Sequence, residues 1–113
     1  LRIAATAFES QEGMFITDAD QVILKVNKAF TRITGYSPEE AIGQTGALLN
    51  SGRHNAHFYQ ALQHSLQQDG CWEGEIWHKR KNGEIYPEWL IITAVSDANS
   101  KFSNYVGAFT DIT

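Results

Sequence analysis

Residues 72–95 read WEGEIWHKRKNGEIYPEWLIITAV, two runs rich in aromatic and β-branched residues, broken once by Lys81-Asn82-Gly83. Strand formers on both sides of a short Asn-Gly break predict a β-hairpin. Two registers are open. With Gly83 left-handed as the bulge residue of a three-residue loop, Arg80 pairs with Glu84, and His78/Tyr86, Ile76/Glu88, Gly74/Leu90 and Trp72/Ile92 share one face. A two-residue Asn82-Gly83 turn would regroup the second strand, because side chains alternate with a period of two. In the first register the other face sets Glu73, Glu75, Trp77 and Lys79 against Ile91, Trp89, Pro87 and Ile85, which is too apolar to lie bare. Both faces therefore need cover. The face with Trp72, His78, Tyr86 and Glu88 mixes aromatic bulk with polar groups, as a small-molecule pocket does.

Outward from the hairpin, the pattern alternates between periods of two and about 3.6. Upstream, Asn55 can cap a helix to Gln68 whose buried stripe is Phe58, Ala61, Leu62, Ser65 and Leu66, ended by Asp69-Gly70. Residues 44–53, with Gly46, Ser51 and Gly52, are irregular, and such a mid-domain loop often borders a site. Ser37-Pro38-Glu39-Glu40 spells a capping box with proline at the first helical position, opening a short helix that stops by Gly43. Before it, Asn27 caps a two-turn helix that ends at Gly35 and carries Phe30, Ile33 and Thr34 on one face. Residues 14–17 and 22–26 form a second hairpin around Asp18-Ala19-Asp20-Gln21. Residues 1–10 place Leu1, Ala4, Ala5 and Phe8 on one stripe, an amphipathic flanking helix suited to the second sheet face. Downstream, residues 97–101 make a polar turn, and residues 102–113 a strand with Tyr105, Gly107 and Phe109 on one side. Two strands, short helices and three strands predict an α+β fold: a five-stranded antiparallel sheet with helices over one face and a pocket between.

At 113 residues the chain makes one domain with an adequate core. Its single cysteine, Cys71, excludes an internal disulfide and fits a reducing, cytoplasmic compartment. No apolar run is long enough to span a bilayer. The net charge of -4, with both signs scattered, offers no footprint for nucleic acid or an anionic membrane. A start in apparent mid-helix and an end on a strand-like run are expected of a module cut from a longer protein.

Many short matches then coincide: Thr17-Asp18, Val26-Asn27-Lys28-Ala29-Phe30, Thr34-Gly35-Tyr36-Ser37-Pro38-Glu39-Glu40, Ile42-Gly43, Ser51-Gly52-Arg53-His54, Phe58-Tyr59, Gly74-Glu75-Ile76, Arg80-Lys81-Asn82-Gly83 and Asp111-Ile112-Thr113. Over residues 8–113 the chain resembles the PAS domains of bacterial signalling proteins. The resemblance implies residues 11–113 as the PAS domain, with residues 1–10 as a flanking helix. It also implies strand order 2-1-5-4-3, the bulged register, and a helical linker to an output domain after Asp111, Ile112 and Thr113, the output end. Trp72, His78, Tyr86, Glu88, Leu90 and Phe109 turn toward the pocket on this resemblance. With Phe30, Ile33 and Ile76 they make the candidate ligand or cofactor site.

Light-sensing members attach flavin through a cysteine in a Gly-Arg-Asn-Cys-type motif; here Gly52-Arg53-His54-Asn55 has none, and Cys71 lies elsewhere. Those members hold the flavin with amides at positions equivalent to His78, Glu88 and Phe109, none of which is an amide. Redox members that bind FAD without a covalent bond resemble this chain at Trp72 and depart from it at His78. Haem-binding members take an axial histidine from the region of His54, His57 and His64, of which His57 and His64 lie off the buried stripe. The ligand is left open among FAD, haem and a small metabolite. No Cys/His spacing matches a metal site. His78, Tyr86 and Glu88 read equally as the polar end of a pocket or as a hydrogen-bonded core group.

The implied function is sensory. A ligand, redox or partner signal biases the sheet and its flanking helices and passes to a fused histidine kinase, diguanylate cyclase or phosphodiesterase. Ser51-Gly52-Arg53-His54 leans toward the cyclic di-GMP enzymes. The alternative is a ligand-free structural module that homodimerises through Phe8, Trp77, Trp89 and Ile91, a face that would otherwise dock the flanking helix. No nucleophile–base pair, metal cluster or phosphate loop suggests catalysis by this domain itself.

Overall fold

The computed structural model describes residues 8–113. The proposed helix over residues 1–10 therefore lies outside the described residues, save for its last three. The central hairpin pairs β3, Cys71–Lys79, with β4, Ile85–Ser96, in the bulged register: Trp72 faces Ile92, Ile76 faces Glu88 and His78 faces Tyr86. The loop decides this. Gly83 sits at φ 94°, its N–H donates to the Arg80 carbonyl at 2.9 Å, and Arg80 N–H donates to the Glu84 carbonyl at 2.8 Å. Left-handed backbone is open to glycine without the Cβ clash other residues meet, so the bulge falls there.

β1, Gly13–Asp18, β2, Ile23–Val26, and β5, Phe102–Asp111, complete an antiparallel sheet of order β2-β1-β5-β4-β3. The helices are α1, Lys28–Thr34, α2, Pro38–Ala41, and α3, Ala56–Asp69, with a 3-10 turn at Gly46–Leu49. Each begins as its sequence predicts. Ser37 and Glu40 form both arms of the capping box, and Asn55 caps α3 through Phe58 N–H at 3.0 Å. Asn27 does more than cap α1. Its Oδ1 accepts from Phe30 N–H and Met14 N–H, at 2.8 and 2.9 Å, and its Nδ2 donates to the Phe8 and Glu12 carbonyls, at 2.7 and 2.9 Å. All four capacities of this buried amide are met, tying the N-terminal approach, β1 and α1 into one corner.

The core lies between the sheet's inner face and the helices. Phe15, Phe30 and Phe109 pack with ring centroids 5.8 to 6.4 Å apart, edges tilted toward faces. Glycine makes room for them: a Cβ on Gly13 would stand 2.3 Å from the Phe109 ring, and one on Gly107 2.1 Å from Phe15. On α3 the buried stripe is the expected one at Phe58, Leu62, Ser65 and Leu66, with Tyr59 joining it and Ala61 outside it. Leu62 and Leu66 are buried and Tyr59 is half-buried, whereas Ala61 is exposed.

Candidate functional site

β2 and β3 are the two edges of the sheet, and residues 43–50 cross its inner face from one to the other. At the β2 edge, Gly43 N–H donates to the Ile23 carbonyl at 2.9 Å and Ile23 N–H to the Gln44 carbonyl at 2.8 Å. At the β3 edge, Asn50 bridges His78, and His54 Nε2 accepts the Trp77 N–H at 2.9 Å. Each edge is thereby covered over a short stretch, at Ile23 and at Trp77–His78, against pairing with other strands. The span between is Thr45, Gly46, Ala47 and Leu48, small for the most part, so little side chain reaches the sheet beneath. A cavity of about 240 Å³ lies there. Its floor is Phe15, Thr17, Ile23, Ile76, His78, Leu90, Ile92 and Tyr105, drawn from all five strands, and its roof is Phe30, Leu49, Tyr59 and Leu62. Gln21 and Gln63 also border it. Their amides form a reciprocal pair, at 2.6 and 3.0 Å, that joins the β1–β2 turn to α3.

Behind the cavity wall stands a polar chain. His78 Nδ1 is 3.1 Å from Glu88 Oε2, close enough to attract but off the line of a hydrogen bond, and neither atom has another partner. Glu88 is fully buried, and its Oε1 accepts the Tyr86 hydroxyl at 2.7 Å. Burial, and then the Glu88 carboxylate, push that hydroxyl's pKa well up, so it stays a donor. The Arg80 guanidinium lies 3.8 Å from the Tyr86 ring centroid. It reaches the Ile33 carbonyl and Asp111 Oδ2 at 2.7 Å each, and Glu84 at 2.7 Å. Burial opposes ionisation of Asp111, but the Thr113 backbone N–H and Arg80 outweigh it and hold the carboxyl below its ordinary value. The chain thus runs from the cavity floor to Asp111 at the end of β5.

Of the candidate pocket residues, Phe30, Ile76, His78 and Leu90 line the cavity. Tyr86, Glu88 and Phe109 are fully buried beside it, and Ile33 is half-buried, its carbonyl holding Arg80. Trp72 is half-buried against Phe58, with ring centroids 5.8 Å apart, away from the cavity lining. Tyr59, which the sequence marks only as part of the Phe58-Tyr59 match, and Gln63 are not among the candidate site residues, although a stripe through 59, 62, 63 and 66 has helical spacing. Residues 45–50 have no periodicity to find.

The residues present do not fit the cofactors the family suggests. At the centre of the sheet the Phe109 ring is packed under Phe30, where a flavin ring would need space and an amide. For haem, His54 spends Nε2 on Trp77 N–H and stacks on Phe58 at 3.9 Å, while His57 and His64 are exposed and away from the cavity lining. Cys71 is exposed. Among the described residues, no three of His, Cys, Asp and Glu come together as a metal site.

The outer face is divided. Phe8 is buried beside Lys25, whose Nζ is 4.7 Å from its ring centroid, at the β2 edge. Trp77, at the opposite edge, is half-buried with Arg53 4.1 Å over its ring. Ile91 is half-buried, and Trp89 is 43% exposed, with Nε1 donating to Glu73 at 3.0 Å.

Known proteins are similar to this chain in fold and sequence. A PAS domain crystal structure from Colwellia psychrerythraea superposes with a TM-score of 0.91 at 27% identity, covering 99% of this chain and 96% of that one. A nitrogen fixation regulatory protein of Klebsiella oxytoca is 32% identical over 104 residues, 92% of this chain and 21% of that protein. A blue-light photoreceptor of Listeria innocua is 31% identical over 107 residues, 92% of this chain and 42% of that protein. The chain therefore spans less than half the length of these curated relatives, which are regulatory and sensory proteins. Residues 11–113 match the PAS domain family as a whole, and with the strand order and hairpin register also in place, this chain belongs to the PAS domain family.

Proposed function

We propose that this PAS domain is a non-catalytic sensory module that takes a small molecule into the cavity beneath residues 43–50 and signals through its C-terminal end. The observation that carries the reading is the polar chain that starts at His78 on the cavity floor and ends at the Arg80–Asp111 ion pair. A ligand that moves His78 alters the setting of Glu88 and Tyr86, and with them the hold of Arg80 on Asp111. A ligand shifts an equilibrium only by its differential affinity for the two states, and the chain supplies a contact that can differ between them. The output that follows Asp111-Ile112-Thr113 is read as a histidine kinase or a cyclic di-GMP enzyme of a cytoplasmic bacterial protein. The exposed Trp89 and half-buried Ile91 are the surface for a homodimer, checked by light scattering of wild type against Trp89→Glu.

The test of the sensory reading is mass spectrometry of small molecules released on denaturing the freshly purified domain, paired with Leu62→Trp, which fills the cavity. Wild type is expected to release a compound that absorbs at shorter wavelengths than flavin or haem and that Leu62→Trp does not retain. Equal release from both proteins, or a filled variant whose parent protein still responds to the signal, would overturn it.

A further inference from the structure

The chemistry of the cavity wall goes further than the existence of a site. Resting on the reading above, we infer that the ligand class is a neutral aromatic molecule of one or two rings carrying a hydrogen-bonding group held by His78.

Size sets the first bound. An engineered cavity of about 150 Å³ holds benzene, and pockets for drug-sized ligands begin near 300 Å³. At about 240 Å³ this cavity lies between them, with room for a substituted ring or a fused pair and none for a dinucleotide or a porphyrin.

Charge sets the second. The lining includes no Lys, Arg, Asp or Glu. An ion moved into such surroundings loses its hydration and gains no countercharge, which is far costlier than moving a neutral molecule of the same shape. The surrounding charges are already used: Glu88 faces His78 and Tyr86, and Arg80 faces Asp111, Glu84 and Tyr86.

The lining itself sets the third. Phe15, Phe30, Tyr59 and Tyr105 present rings from three sides, and aromatic pairs gain from edge and offset contacts beyond simple burial. Tyr105 has its hydroxyl occupied, accepting from Gln67 Nε2 at 3.1 Å, whereas the Tyr59 hydroxyl on the roof is buried without a hydrogen bond to protein. His78 is the exception on the floor. Its Nδ1 is turned toward Glu88, and among the described residues its other nitrogen, Nε2, makes no hydrogen bond with protein. A hydroxyl, ring N–H or carbonyl on the ligand supplies that partner, and the same contact starts the chain to Asp111.

The experiment is calorimetric titration of the purified domain at pH 7.5 with five probes: phenol, indole, toluene, benzoate and benzylammonium. Phenol and indole are expected to bind at least tenfold more tightly than benzoate and benzylammonium, because of the uncharged wall. Toluene is expected to bind several-fold more weakly than phenol in wild type, and this gap is expected to narrow in His78→Leu. If His78→Leu does not fold, the phenol-to-toluene ratio in wild type and in His78→Gln decides the role of His78. Leu62→Trp, or Ala47→Trp on the exposed roof, is expected to abolish binding of all of them. Tight binding of benzoate or benzylammonium that either filled variant abolishes would overturn the ligand class and leave the cavity reading standing. Binding of none of the five, with melting temperature unmoved by any of them, would overturn both.

Discussion

The layer between sheet and helices is solid at its centre and hairpin end and hollow beneath residues 43–50, with Phe15 and Phe30 as the wall between. On the solid side, Phe109, Tyr86 and Glu88 have no exposed surface and every ring meets another ring or a guanidinium. On the hollow side the roof joins Phe30, Tyr59 and Leu62 to a strap, residues 43–50, that is tied at both sheet edges and sends Leu49 inward. The difference follows from how backbone delivers side chains. α1 and the strands present large residues at fixed spacing, so facing rows interdigitate to the density of a packed interior. An irregular strap whose hydrogen bonds go to strand edges has few side chains to send inward. The edge pairing that holds it across the sheet also keeps it from collapsing onto the floor.

Paired substitutions test that contrast. Phe109→Ala removes a fully buried ring from the solid side and should cost about 3–5 kcal/mol of unfolding free energy, read from urea melts with an unchanged m-value. Leu62→Phe adds volume on the hollow side. In a packed core, such enlargement costs about 1–3 kcal/mol, whereas here it should cost less than about 1 kcal/mol, because the added atoms enter free space. A penalty for Leu62→Phe near that for Phe109→Ala would mean that the two sides are equally packed.

Next in size is Arg80→Ala. It removes the ion pair to Asp111, the bond to the Ile33 carbonyl and the cover over Tyr86, for about 2 kcal/mol. Its sharper consequence is local. Hydrogen exchange at residues 111–113 should rise in Arg80→Ala while the strap stays as protected as in wild type. Loosening of both together would show that the two sides are not separable.

Most of the solid side was legible in the sequence. Alternation through residues 72–79 and 85–92, with Gly83 at the break, limited the hairpin to two registers, and the pocket face assigned under the bulged one contains the fully buried Tyr86 and Glu88, along with Ile76, His78 and Leu90 of the cavity floor. The capping box at Ser37 and the cap at Asn27 were equally plain, because each is written within four residues. The hollow side was legible in part: residues 44–53 read as a loop bordering a site, and Phe30, Ile76, His78 and Leu90 as pocket residues. Its position depends on residues 43–50 meeting two strands that are neighbours of neither each other nor the strap in sequence, and no local pattern encodes that. Trp72 marks the limit: it lies on the expected face of β3, but it packs on Phe58 and not over the cavity.

The smallest expected effect concerns the strap's far anchor. His54 Nε2 accepts the Trp77 N–H, so the imidazole must leave that nitrogen bare. Burial, then nearby His78 and Arg53, lower the pKa of His54 below its ordinary 6.5. The unfolded chain therefore takes up a proton first as pH falls, and wherever it binds more protons than the folded chain, stability declines with decreasing pH. The contribution is whole above pH 6.5 and is lost as pH drops through the interval down to the folded value. Protonation at Nε2 also replaces an acceptor with a donor facing a donor, so the loss concentrates at this anchor. Exchange of the Trp77 amide, corrected for its intrinsic rate, should accelerate between pH 7 and pH 5 in wild type. In His54→Gln, whose amide oxygen can accept at any pH, it should stay level. Equal acceleration in both proteins would place the pH response elsewhere, whereas acceleration confined to wild type would show that the hollow side opens from the β3 edge.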